Sequence, residues 1–215
     1  MQTRLLLVLI TFFVWVGNAS ASEPETAESS SASELSAAVQ TLLAEFHRPP
    51  PAELKGDALT QSYVRRLALA AQPLPAHLAR RAFLVTLGIG FDDTSFLRNV
   101  PGIGGAIEKL ESPANRSLRL KHIRQATVSG RRDLTLHFFV SAMLCAELGE
   151  NVATFAGWWK EIRDEQVGSG FDKTDLAADR AGIQFARSVL TRQKLLLEVA
   201  EDFRCPKIEP IKSER

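Results

Sequence analysis

Three short sets of polar residues are the places in this chain where chemistry could reside. Asp133, His137 and Ser141 stand four apart in RRDLTLHFFVSAMLCAEL. Glu161 and Asp164 stand three apart in KEIRD, and Asp175 and Asp179 stand four apart in DLAADRAG, with Gly182 three residues further on. Residues three or four apart share a helix face, and polar groups inside apolar helices are costly unless partnered. The three sets are therefore expected to face one another. One imidazole with Glu161, Asp175 and Asp179 supplies the ligand types of an Fe, Mn or Zn site, and a carboxylate–His pair can serve as a general base. That chemistry would suit a metal-dependent or acid–base hydrolase. The better metal motifs are missing, however: the chain has no HExxH and no ExxH of the di-iron bundles. The same residues also suit a polar network that fixes helix register. In it Asp133 or Asp179 pairs with His137, and Arg131, Arg132, Lys160 or Arg163 neutralises the acids. The network is the reading favoured over a metal or catalytic site and over ligand binding without catalysis.

The elements that must position these sets are all helical. An apolar stripe of Leu35, Val39, Leu42, Leu43 and Phe46 predicts a first helix, ended by Pro49-Pro50-Pro51. A second starts near Asp57, read as its N-cap, and runs to Ala71. Pro73-Leu74-Pro75 separates it from a third with Leu78, Phe83, Leu84 and Leu87 on its apolar side. Gly88 to Gly105 reads as irregular, with one helical turn after Asp92. Ser112-Pro113 opens a basic helix to about Ala126. An apolar helix follows from Ser129 or Gly130 to Leu148, closed by Gly149. Asn151 to Gln166, Asp172 onward with Asp175 in the first turn, and Thr191 to Phe203 complete the set. No strand alternation and no internal repeat is present. The expectation is a single all-α domain of seven or eight helices over residues 34–204, with a tail at 205–215.

The N-terminus reads as an export signal. Arg4 precedes the apolar run LLLVLITFFVWV, and Ala19-Ser20-Ala21 has the A-x-A cleavage pattern. The run is short for a membrane span of about 20 residues, so Met1–Ala21 is expected to be removed and the protein to be secreted or periplasmic. Residues 22–33, SEPETAESSSAS, have the composition of a disordered linker. Loss of the leader removes Arg4 and no acid, which leaves 25 basic against 25 acidic residues. This zero balance argues against general nucleic-acid binding, although Arg80-Arg81 and Arg131-Arg132 are local basic pairs. Cys145 and Cys205 are the two cysteines. Cys145 lies in an apolar helix and reads as a buried thiol, Cys205 lies near a C-terminus expected to fray, and no disulfide is expected.

Lesser motifs are weak. Gly102-Ile103-Gly104-Gly105 lacks the glycine and lysine pattern of a phosphate loop, and Gly168-Ser169-Gly170 is not a nucleophile elbow. Asp92-Asp93 could ligate a cation, but Asp92 is better read as capping the next turn. Trp158 and Trp159 point about 100° apart on a helix, one expected in the core and one at its rim.

At the three polar sets the C-terminal half resembles the VanZ-like proteins and YfiM-like lipoproteins. The pattern is an acid and His opening an apolar helix, Glu with a polar residue three on, a Gly-aromatic loop, then D-L-x-A-N-x-x-G. Asp133 and His137, Glu161 and Asp164, Gly170-Phe171, and Asp175 through Gly182 occupy those positions. Asp179 replaces the usual Asn, which makes the set more acidic, and the family's membrane spans are missing after the leader. The resemblance covers about 50 residues, and it implies helix order and a shared polar core without a reaction. Three expectations about function follow. The first is an envelope-associated binding or structural protein with an envelope-protein or membrane-surface partner. The second is a hydrolase built on His137 with Glu161 and Asp175 or Asp179, using a divalent metal if any cofactor. The third is peripheral membrane association through the first helices or the Trp pair.

Overall fold

The computed structural model describes residues 27–99, 104–148, 173–191 and 195–211. The predicted helix from Asn151 to Gln166 lies outside the described residues, and with it Glu161, Asp164, the Trp pair and the glycine turn. The export leader also lies outside them. Among the described residues the fold is all-α, with nine helices and no strand. In chain order they are α1 (Ala27–His47), α2 (Gly56–Ala71), α3 (Ala76–Phe91), α4 (Phe96–Asn99), α5 (Gly104–Leu110), α6 (Pro113–Ile123), α7 (Arg132–Leu148), α8 (Lys173–Leu190) and α9 (Leu196–Asp202).

Helices α3 and α7 form the centre. Helix α7 lies between α3 and α8, α1 packs on the other side of α3, and α9 closes against α2. The stripe predicted for α1 is buried in full, from Leu35 through Phe46. A row of aromatic rings joins the layers: Phe46 stacks on Tyr63, and Phe91 stacks on Phe139 with ring centroids 4.4 Å apart. Offset stacking of this kind adds to the burial energy of the rings. No described helix is long and apolar enough to cross a membrane.

Several boundaries differ from the sequence expectation. Helix α1 begins at Ala27, inside the stretch read as a disordered linker. Composition misled there because, of residues 30–33, Ala32 alone turns toward the core, three residues before Leu35. Helix α3 does not end at Gly88 but continues through Gly88 and Gly90 to Phe91. Those glycines weaken a helix by propensity, yet a Cβ at Gly88 would clash with Met143 of α7, and one at Gly90 with the Phe46 ring. They serve close packing rather than a turn. Asp57 is not the N-cap of α2; Lys55 holds that position. The Asp57 carboxylate instead accepts hydrogen bonds from Thr127 Oγ1 (2.5 Å), Ser129 N (3.1 Å) and Gly130 N (3.0 Å). This ties down the turn that launches α7, where Ser129 has φ 54° and Gly130 φ 73°.

The start of the C-terminal tail is also packed. Cys205 is partly buried, with Sγ 3.6 Å from the Asp57 carbonyl oxygen, and Ile208 N donates to Ser129 Oγ. Burial, and then the charge of Asp57, push the Cys205 thiol up to about 12, which makes it a poor nucleophile. Cys145 and Cys205 are not bonded to each other. Ser112 caps α6 by accepting from Asn115 N at 3.2 Å, with Pro113 in the first turn, as the sequence indicates.

Candidate functional site

His137 sits at the middle of the α7–α8 interface and is 3% exposed. It reaches this position because α7 presents Leu134, His137, Phe138 and Ser141 to a neighbour at helical spacing. Its Nδ1 lies 3.1 Å from Asp179 Oδ1, and its Nε2 lies 3.5 Å from Asp175 Oδ2. Asp175 and Asp179 are one turn apart on α8, so they bracket the ring from its two edges. Ser141 Oγ donates to the same Asp179 Oδ1 at 2.8 Å. Arg131, at the entrance to α7, lies 3.5 Å from Asp175 Oδ1.

The close approach of the two helices is made by Gly182. A Cβ there would lie inside the van der Waals radius of the Phe138 carbonyl oxygen. Backbone cannot give way as a flexible side chain can, so only glycine fits this spacing. Gly182, one residue short of a turn beyond Asp179, thus sets the distance at which His137 meets the aspartates.

Asp133 does not join the cluster. It is exposed and forms a two-pronged pair with Arg131, whose Nη2 lies 2.5 Å from Asp133 Oδ2. The Arg131 hydrogen bonds come first among the influences that hold the Asp133 carboxyl below its usual range. The first turn of α7 turns Asp133 toward solvent, while His137, one turn on, faces α8. Arg132 does not neutralise the cluster either; it pairs with Asp93. Of the predicted set, the described structure brings together His137, Ser141, Asp175 and Asp179, with Arg131 at the edge.

The wiring limits what this group can do. A nucleophilic serine passes its proton to histidine, and the carboxylate orients the histidine from behind. Here Ser141 donates to Asp179, so the described contacts are not those of a hydrolytic triad. The carboxylates flank different ring nitrogens and do not converge on one point. Among the described residues no three of His, Cys, Asp and Glu are placed to hold a metal ion together.

Sequence reasoning missed a second buried polar network. Arg119 of α6 is 1% exposed. Its Nε and Nη2 donate to the two oxygens of Glu111 at 2.8 and 2.9 Å, and its Nη1 donates to the carbonyls of Gly90 and Asp92 at 2.9 Å each. Arg98 and His47 reach the same Glu111, at 2.8 and 3.3 Å. Burial acts most strongly on Glu111 and would raise its pKa. The bonds and charge of Arg119, then the bond from His47 and the charge of Arg98, outweigh it, and Glu111 stays below the usual carboxylate range. Asp92 takes up its expected capping role: Oδ1 accepts from Thr94 N and Oγ1, and Oδ2 from Leu97 N. Burial nonetheless pushes Asp92 up. The available signal was the spacing of Arg119 and Ile123, four apart on one face, both buried; the general basicity of α6 concealed it.

A partly buried ion pair joins the central helices. Arg81 of α3 donates twice, at 2.9 Å, to Glu147 of α7. Burial raises the Glu147 carboxyl, and Arg81 only partly offsets this.

No protein-family model, curated protein or solved structure matches the chain.

Proposed function

We propose that this is an exported helical protein that acts at the cell envelope by binding or scaffolding rather than by catalysis. The observation that carries the reading is the state of His137. Each ring nitrogen faces an aspartate of α8, and the neighbouring serine serves Asp179. The described contacts of the imidazole join two helices, the registry role best attested for buried polar groups. The pairing of α7 with the Asp175–Gly182 stretch supports a structural role for this cluster, and the envelope role is proposed from the resemblance of the C-terminal half to VanZ-like and YfiM-like proteins. Export rests on the leader pattern of Met1–Ala21.

Two measurements test this reading. N-terminal sequencing of the exported protein is expected to begin at Ser22. Metal analysis of the natively purified protein is expected to find no stoichiometric Fe, Mn or Zn. A stoichiometric metal that disappears in His137→Ala would replace the scaffold reading with the metal-dependent one.

A further inference from the structure

A groove of about 230 Å³ opens where the α2–α3 corner meets α9. Leu74 and Ala79 line one side, and Leu195, Leu196 and Leu197 line the other. Two of these leucines remain about half exposed, Leu195 at 49% and Leu197 at 48%. That is unusual for a protein whose other described apolar side chains are mostly buried, and exposed apolar clusters mark binding surfaces. Among the described residues two polar side chains join the lining, Gln72 and Arg80. Arg80 differs from its neighbour Arg81, which is held by Glu147 on both prongs. Arg80 has no ion pair with a described acid, and its Nε is buried without a hydrogen-bond partner. Glu198, the nearest acid in sequence to the leucines, is occupied by the Leu195 N–H at 2.9 Å.

We propose that this groove binds a medium-chain carboxylate, with the alkyl chain along the α9 leucines and the anionic end on Arg80. Charge and polarity select this occupant. Among the described lining residues Arg80 is the one cation beside the leucines, and a cation next to apolar side chains complements a molecule with one anionic end and an otherwise apolar body. A bound peptide would bring several backbone donors and acceptors, and the described lining offers two polar side chains to meet them. The size agrees: an apolar cavity of about 150 Å³ holds benzene, so this larger groove has room for a medium-length alkyl chain.

The test is calorimetric titration of the full exported chain with octanoate, with octylamine and octanol as partners of equal length. Octanoate is expected to bind saturably and more tightly than either. Amide NMR shifts should fall on residues 72–80 and 195–197. Arg80→Gln should weaken octanoate by at least about tenfold, the loss of one charge-assisted contact, and leave octanol unchanged. Leu197→Asp should weaken octanoate and octanol. Equal binding of octanoate, octanol and octylamine to the wild type would overturn the proposal, and needs no variant to fold. Shifts elsewhere, no saturable octanoate binding, retention only on anionic phospholipid vesicles, or preference for a peptide ending in leucine would overturn it as well.

Discussion

The two buried polar networks solve the same problem in opposite ways. Around Glu111, the buried charge is met by direct pairing: the carboxylate faces two guanidinium groups and an imidazole, and the remaining prong of Arg119 donates to two carbonyls. Around His137, two carboxylates from one helix bracket one imidazole, and the half-exposed Arg131 stands at the margin. The first network holds α6 and the chain before it against the ends of α1 and α3 by ion pairing. The second depends on how closely two backbones approach, and Gly182 sets that approach. The comparison teaches that a buried polar group in this fold can be secured either by its partners or by the helix spacing that delivers them.

The largest effect is expected where pairing is complete. Arg119→Met should remove about 3–5 kcal/mol, because it leaves Glu111 buried without its main partner and two carbonyls without their donor. Urea denaturation measures this directly. A loss below about 1 kcal/mol would mean that Arg98 and His47 hold Glu111 unaided.

Gly182→Leu should come next, at about 2–3 kcal/mol, through overpacking against the Phe138 carbonyl. Its signature should distinguish it from a cavity effect: the helices separate, and the His137–Asp179 contact is lost with them. A thermal melt gives the size, and a Gly182→Leu melt coincident with wild type would show that the helices do not meet there.

Ser141→Ala should cost about 1 kcal/mol, the net worth of its hydrogen bond to Asp179. Because that bond belongs to the α7–α8 contact alone, its effect should be additive with that of Arg119→Met. Marked non-additivity would argue that the two networks are coupled through α3.

The smallest effect is a pH dependence of opposite sign at two glutamates. Glu111 is lowered in the folded protein. Its ionised form therefore contributes stability that is present above the unfolded carboxylate value of about 4.3 and is lost as pH falls through the folded value. The deficit of Glu111→Gln should shrink in that acid range. Glu147 is raised by burial. Its folded form holds a proton over a wider range, so wild-type stability falls as pH rises from the unfolded value through the folded one. Glu147→Gln should gain on wild type over that interval. Denaturant melts at stepped pH read both trends, and parallel trends in the two variants would contradict the assigned directions.

The sequence by itself determined much of this protein. Helical spacing of apolar residues gave the all-α class and the buried face of α1, and Ser112-Pro113 marked the start of α6. The polar spacing of α7 and α8, with Gly182 beside it, named His137, Asp175 and Asp179 as one group, because period and capping are local properties of the chain. Tertiary structure alone decided the rest. Asp133 and His137 share a helical spacing, yet one faces water and the other α8, since which part of a face is covered depends on where the partner helix ends. Arg119 looks like any surface arginine of a basic helix until the end of α3 and the residue after α5 bring two carbonyls and Glu111 to it. Asp57 looks like a cap until a loop about 70 residues away folds its donors onto the carboxylate. Burial of a charge is settled by groups distant in sequence, and no window of neighbouring residues contains them.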